Sequence, residues 1–228
     1  MLICGVDDAG RGPVIGPLVI AGILVDEDGL SSLIRLGVRD SKTLSPRRRK
    51  RLVGEILRVA RDYRVVKVPP SEIDHVVETG RRLNRLNRLE ARVMASIIRD
   101  LKPDIAYVDA SDVSPERFRR HIAEEIPFKV EIVSEHKADR TYPVVSAASI
   151  IAKVERDREI EKLKRKYGDL GSGYATDPKT MLFLRKWIET HDAYPDFVRK
   201  SWKTVERLLK RGGKQYQTKL FGLEGGEI

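Results

Sequence analysis

With 228 residues, 41% of them hydrophobic, the chain has material for one large domain with a real core, which sets it apart from disordered proteins. No apolar run reaches the ~18 residues a membrane helix needs, and the opening MLICGVDDAG lacks the basic and apolar regions of a signal peptide. A net charge of +10 points to a polyanionic partner, nucleic acid ahead of an anionic membrane surface. The single cysteine, Cys4, sits in an apolar segment and reads as a small buried hydrophobe, so the expected location is the cytoplasm. Charged residues make up 34% of the chain while Asn and Gln occur four times in all, a surface composition that thermophile proteins share.

In chain order, residues 2–6 and 17–25 read as apolar strands separated by the Gly/Pro-rich stretch Gly10–Pro17. Ser45-Pro46 supplies an N-cap and a proline at the first helical position, and Leu52, Val53, Ile56, Leu57 and Ala60 give that helix an apolar face. Residues 63–68 read as a strand. A helix over 83–101 buries Leu86, Val93, Ile97 and Leu101, and Pro103-Asp104 stops it. Ile105–Val108 is a short buried strand ending at Asp109, Ser114-Pro115 caps another helix, and Lys129–Ser134 is a strand. The small-residue run Ala147-Ala148-Ser149 to Ala152 suits a closely packed helix over 144–166; Asp177-Pro178 starts the next, and Ser201–Lys210 reads as the last. Strands first, then alternation, then helices alone predict an α/β fold: a mixed central sheet flanked by helices, with a helical C-terminal cap. The expected division is 1–166 for the sheet domain, 167–211 for the cap and 212–228 for a tail.

Asp7 and Asp8 follow the first strand, Asp109 ends another, and Asp139 lies just past a third. Each alone could be a turn or capping aspartate. Acids at three strand ends in a basic chain form a better candidate site, because α/β proteins build their sites at strand ends. Clustered carboxylates repel unless protons or cations intervene, and Mg²⁺ is the usual oxygen-bound cation beside phosphates. The histidines at 75, 121, 136 and 191 are scattered and have no zinc spacing. Gly10-Arg11-Gly12 fits neither a P-loop nor a dinucleotide fingerprint; it reads as a loop whose backbone can approach a ligand closely.

Together these segments resemble the type 2 ribonucleases H. Asp7-Asp8-Ala9-Gly10-Arg11-Gly12-Pro13 with Ile15-Gly16-Pro17 is similar to the family's opening block. Asp40-Ser41-Lys42-Thr43-Leu44, Tyr107-Val108-Asp109 and His136-Lys137-Ala138-Asp139 match the next ones. Tyr142-Pro143, the run from Ala147 to Asp157, and Gly171-Ser172-Gly173-Tyr174 complete the series, in wording nearest the archaeal branch. The resemblance spans residues 2–202. It implies an RNase H-like fold and an endonuclease that hydrolyses the RNA strand of RNA–DNA hybrids and cuts at ribonucleotides embedded in duplex DNA. It also implies two divalent ions, Mg²⁺ or Mn²⁺, held by Asp7, Asp8, Asp109 and Asp139, and products with 3′-hydroxyl and 5′-phosphate ends. Gly10, Arg11 and Gly12 would sense the ribonucleotide's 2′-hydroxyl, and Tyr174 would stack on the following sugar and mark an RNA–DNA junction. The family's second acid is normally glutamate; this chain has Asp8, one methylene shorter. Two rivals stand beside this reading: an RNase H-like nuclease on another substrate, such as a DNA-junction resolvase, and a basic nucleic-acid-binding protein without catalysis.

For the duplex, Arg47–Arg51 place cations where a helix macrodipole disfavours them, so either phosphates or plain solvation answers for them. Arg81, Arg85, Arg88 and Arg92 form a helical stripe, with Asn84 at a position the family uses near substrate. Lys42 lies upstream, and Lys153 and Arg156 are phosphate candidates that could instead pair with Glu155 or Glu159. In the tail, Gln217, Leu220 and Phe221 resemble the short motif by which replication enzymes bind the sliding clamp, although Leu223 and Glu224 stand where its aromatic pair usually lies. Docking of the tail on the enzyme itself is the alternative. The enzyme is expected to be a monomer.

Overall fold

A computed structural model describes residues 1–38, 45–79 and 85–210. Five strands make one mixed sheet: β1 (Ile3–Ala9), β2 (Leu18–Val25), β3 (Asp62–Val68), β4 (Ile105–Asp109) and β5 (Glu131–Glu135), in the order β3-β2-β1-β4-β5. The β1–β2 and β2–β3 pairs are antiparallel, whereas β1–β4 and β4–β5 are parallel. β2 thus runs against the other four strands, and β1 is where the pairing changes from antiparallel to parallel.

Eight helices surround the sheet among the described residues: α1 (Glu27–Arg35), α2 (Pro46–Val59), α3 (Pro70–Thr79), α4 (Arg85–Leu101), α5 (Pro115–Ala123), α6 (Ala138–Thr141), α7 (Pro143–Tyr167) and α8 (Pro178–Ile188). Residues 203–210 are helical as well. The expected caps are present, since Ser45, Ser114 and Asp177 accept bonds from the amides of Arg48, Arg117 and Lys179. None of the helices is long and apolar enough to cross a membrane.

Both faces of the sheet are covered, which is why the first two strands read as unbroken apolar runs rather than alternating ones. Ile3, Val19, Ala21, Ile23 and Val25 pack with α7, while Cys4, Val6, Leu18, Ile20 and Leu24 pack with α4. α7 lies very close to β1, and a Cβ on Gly5 would stand 2.3 Å from the Val144 carbonyl carbon. Ala147, Ala148 and Ser149 keep that contact tight, and all three are buried. A third cluster joins Val14 and Ile15, in the loop after β1, to Leu184, Tyr194, Val198 and Val205 near the C-terminal end. That union of loop and C-terminal helices shapes the site.

Three helices were not expected. No element is expected between residue 25 and Ser45, yet Asp26 caps α1 by accepting from the Gly29 amide. α3 is short and begins at a Pro-Pro pair, and α6 is a single turn. The helix expected from residue 83 is described from Arg85, and the strand expected at Lys129–Ser134 is Glu131–Glu135.

Candidate active site

Asp7 and Asp8 do not follow β1, as expected, but lie within it, because β1 continues pairing with β2 through Ala9↔Val19. Consecutive strand residues face opposite sides of a sheet. Asp7 shares the α7 side with Ile3 and Gly5, where the Ser149 hydroxyl meets it. Asp8 shares the α4 side with Cys4 and Val6, toward Glu90. In parallel register β1 and β4 pair from Ile3↔Ile105 to Val6↔Val108, so one further step sets Asp7 beside Asp109. Asp109 Oδ1 accepts from the Ala138 amide at 2.9 Å, which brings the buried Asp139 on α6 to the same strand ends. The turn into α6 places Lys137 in the left-handed region, φ 59°, a conformation that costs a non-glycine residue roughly 1–2 kcal/mol. Three separate segments thus deliver four acids to one sheet edge.

Their charges act on one another. Burial, then Asp8 and Asp109, raise the Asp7 carboxyl well above its usual range, against the Ser149 hydroxyl. Burial and the Glu90 carboxylate push Asp8 up to about 7, while Arg11 and Lys153 pull it back. Among the described residues no three acids close into a finished metal cage. The donor set nevertheless fits a hard divalent ion: it is all oxygen, mutually repelling, and short of ligands, as Mg²⁺ sites are when water and substrate phosphate complete them.

A pH dependence follows. Asp7, Asp8 and Glu90 all hold protons more tightly in the fold than in the unfolded chain, Asp8 and Glu90 up to about 7. The contribution of Asp8 and Glu90 is therefore complete below the ordinary carboxylate range and lost as pH rises through about 7, and Asp7, raised in the same direction, adds to that loss. Asp112, lowered to about 2, is already ionised across that window and contributes no slope. Between pH 5 and 8 the metal-free protein should lose Tm. Each unit of raised pKa is about 1.4 kcal/mol, or roughly 3–6 °C in a chain of this size. Mg²⁺ should raise Tm more at pH 8 than at pH 5, and Asp7→Asn should flatten the metal-free slope. Calorimetry in chelator and in Mg²⁺ checks this; a Tm independent of pH over that range contradicts it.

Beside the acids lies a cleft of about 460 Å³, lined by Asp8, Gly10–Gly12, Arg49, Lys153, Arg156, Asp157 and Tyr174. Gly10 has φ +82°, and a Cβ there would meet the Pro17 carbonyl at 2.8 Å. Gly173 has φ +85°, and a Cβ there would stand 2.9 Å from the Ile15 carbonyl. The Gly173 carbonyl accepts from the Val14 and Ile15 amides at 2.8 and 3.1 Å, strapping the Tyr174 turn to the glycine loop. Tyr174 stays 40% exposed, with the Arg156 guanidinium 5.0 Å from its ring centre.

Arg11 turns its guanidinium into the protein. It donates to the Ser111 carbonyl at 2.8 Å and to Asn87 Oδ1 at 2.5 Å, and its Nε lies 3.0 Å from Glu90. The loop's backbone, with Gly12 exposed, is left to the cleft. Glu90 is wholly buried, and burial pushes it up to about 7 despite Arg11. It went unnoticed in the sequence because a glutamate in an Arg-rich helix looks like surface. Arg199 was also missed. Fully buried, it donates to the Gly16, Arg11 and Gly10 carbonyls at 3.1, 2.6 and 2.5 Å. Burial and Arg156 lower its pKa to about 10. The Trp202 indole adds a bond to the Gly12 carbonyl at 3.3 Å. No local pattern in Phe197-Val198-Arg199-Lys200 announces that role.

The remaining expectations divide. Lys153 lies at the cleft and donates to Ser149 Oγ at 2.7 Å, and Arg156 donates to the Ser172 carbonyl. Glu155 and Glu159 are taken by Lys67, so neither serves Lys153. The arginine stripe is broken among the described residues: Arg85 folds onto the Val77 carbonyl, and Arg92 sits 3.7 Å from Glu125, leaving Arg88 exposed. His136 spans the Ala110 and Val113 carbonyls, a bracing role. Lys42, Arg81, Asn84, Gln217, Leu220 and Phe221 lie outside the described residues.

The ribonuclease HII family model matches residues 4–205. The chain belongs to the ribonuclease HII family. It is 49% identical to a ribonuclease HII of Thermococcus kodakarensis over 213 residues, covering 92% of this chain and 91% of that one. The ribonuclease H2 of Pyrococcus horikoshii OT3 superposes with a TM-score of 0.87 at 44% identity, over 94% of this chain and 100% of that one. An Archaeoglobus fulgidus RNase HII, solved in complex with PCNA, superposes at 0.81 with 47% identity, over 89% and 96%. The fold is therefore the RNase H-like α/β fold, and the chain is a ribonuclease H, an endonuclease of a divalent-metal-dependent family.

Asp8 is one methylene shorter than the glutamate that the family resemblance leads one to expect. Asp8→Glu keeps the charge and adds reach, and Arg11 and Lys153 remain to offset it. Equal or greater Mg²⁺-supported cleavage is expected; a loss beyond about tenfold would show a site adapted to the shorter side chain, since ~1 Å of misplacement can cost about 100-fold.

Proposed function

We propose that the enzyme cuts the RNA strand of RNA–DNA hybrids and cuts at ribonucleotides embedded in duplex DNA, favouring 5′-RNA–DNA-3′ junctions and leaving 3′-hydroxyl and 5′-phosphate ends. The observation that carries this reading is the single cleft shared by Asp8, the Gly10–Gly12 loop, Lys153 and the exposed Tyr174. Asp7, Asp8, Asp109 and Asp139 would hold two divalent ions, Mg²⁺ or Mn²⁺; when bound, these supply an activated water and stabilise the leaving 3′-oxygen. The protein's own groups position the substrate. Backbone atoms of Gly10–Gly12 come close enough to read a 2′-hydroxyl, the group that separates RNA from DNA. Lys153 meets a phosphate, and the Tyr174 ring, backed by Arg156, packs on the next sugar and admits a deoxynucleotide there. Residues 1–166 form the catalytic domain, 167–211 the cap and 212–228 the tail of a monomeric cytoplasmic enzyme.

The test compares a duplex bearing one ribonucleotide with its all-DNA twin, in Mg²⁺ and in Mn²⁺. Cleavage of the first alone is expected, and equal cleavage of both points to a resolvase-like nuclease. Tyr174→Ala should lose preference for junctions over uniform hybrids while affinity changes less, because phosphate contacts carry most of the binding. Equal loss on both substrates removes Tyr174 from that role.

The relative from Archaeoglobus fulgidus, solved with PCNA, supports a second reading: Gln217, Leu220 and Phe221 bind the sliding clamp. Titration of a 212–228 peptide against the clamp, beside its Leu220→Ala/Phe221→Ala form, decides it. Equal binding by both, or none by the first, ends it.

A further inference from the structure

Beyond the cleft, between the N-terminal end of α2 and the outer face of α7, runs a groove of about 670 Å³. Seven basic side chains line it against two acidic ones, Asp157 and Glu161. Arg156 and Asp157 belong to both groove and cleft, so the two are continuous on the side where Ser172 leads to Tyr174. Arg158, Lys162 and Arg165 recur at helical spacing along α7, while Arg47 and Lys50 face them from α2.

This positive charge is not placed by the usual economy of surface helices. Along α7, Lys162 and Lys164 are relieved by Glu159 and Glu161 three residues away. Among the described residues Arg47, Lys50 and Arg165 have no such partner. Arg47 and Lys50 also sit in the first turns of α2, which holds no acid there, where the macrodipole repels cations. Both costs disappear if an external polyanion occupies the groove. From Arg158 to Arg165 the helix rises ~10 Å, which matches about three phosphates at 3.4 Å of axis each along one strand.

We infer that this groove is a phosphate track holding the backbone of the cut strand where it leaves the cleft past Tyr174, on the 3′ DNA side. It sets how much duplex beyond the junction the enzyme needs. The inference rests on the ribonucleotide-cutting reading above, and cleavage of the one-ribonucleotide duplex by the wild type tests that reading separately.

The experiment uses Arg47→Ser/Lys50→Ser/Arg165→Ser, three exposed positions outside the cleft. Binding to an uncleaved duplex in chelator is titrated from 50 to 200 mM salt. Cleavage is then measured on one-ribonucleotide duplexes shortened stepwise on the 3′ or the 5′ flank. Three lost contacts should flatten the salt slope by about 2.7, so that the wild type loses roughly 40-fold more affinity than the variant over that range. The variant's kcat at saturating substrate should match the wild type. Shortening the 3′ flank should raise the wild-type KM toward the variant's and leave the variant unmoved. A wild-type salt slope in the variant overturns the track, and a dependence confined to the 5′ flank overturns its direction. An unchanged melting temperature is expected and separates either result from misfolding.

Discussion

Asp7→Asn and Asp109→Asn should each lower cleavage of a one-ribonucleotide duplex by about a thousandfold or more. Charge stabilisation at a metal site is worth several kcal/mol, and each 1.36 kcal/mol is a decade of rate. The two residues are neighbours across the parallel β1–β4 pair, so either change removes one charge from an adjacent pair of carboxylates. The fold should survive. Asparagine is nearly isosteric with aspartate, and in Asp7→Asn the Ser149 hydroxyl and the Asp8 amide keep a partner oxygen. The repulsion that raises Asp7 is relieved as well, so Asp7→Asn should melt at or above the wild-type temperature at pH 8 in chelator. Single-turnover cleavage at saturating enzyme separates lost chemistry from lost binding. Substantial cutting by either variant, or by the wild type in excess chelator, would remove these aspartates from metal binding.

What the sequence shows of this fold depends on how local each cause is. Strand runs, Ser-Pro and Asp-Pro caps and the apolar stripes of α2 and α4 depend on residues a few positions apart, and they are in place. α1 and α3 were missed because their local signals, an acidic Gly-containing turn and a Pro-Pro pair, favour loops, and tertiary packing of Leu33 and Ile73 overrides them. The acids were legible as strand-end carboxylates, but their division between the two faces of the sheet was not. That division turns on β1 running three residues further than its apolar stretch, paired to β2 through Ala9. Glu90 and Arg199 were illegible for a different reason. Their partners lie 79 and about 185 residues away, in segments that meet only when α4 and the C-terminal segment pack against the glycine loop. Arg11 is legible as part of the loop from its flanking glycines, whereas the inward turn of its guanidinium depends on Asn87, Glu90 and Ser111 being in place.

Arg199 gives the second large effect. One buried guanidinium gathers three carbonyls of the loop after β1, and its neighbour Trp202 holds a fourth. The C-terminal segment is itself anchored, since Asp74 on α3 accepts from the Lys200 and Ser201 amides at 2.8 and 3.0 Å. Arg199 is therefore a positioning residue: it fixes the glycine-loop backbone that lines the cleft without lining the cleft itself. Arg199→Met should lower kcat/KM on a one-ribonucleotide duplex by about 100-fold, the cost of ~1 Å of misplacement at a reacting centre. It should also lower stability, because each buried carbonyl left without a donor costs roughly 1–3 kcal/mol. Arg199→Lys keeps the charge but cannot span three acceptors with a fork, so it should fall between. Stability alone would give a different pattern, and two measurements distinguish them. Well below the melting temperature, the loss should fall on the ribonucleotide duplex while duplex affinity in chelator stays near wild type. Guanidinium at millimolar concentration should restore part of the activity of Arg199→Ala, and ammonium should not. Full activity in Arg199→Met, or a loss that only follows the unfolded fraction, would reduce Arg199 to a packing residue.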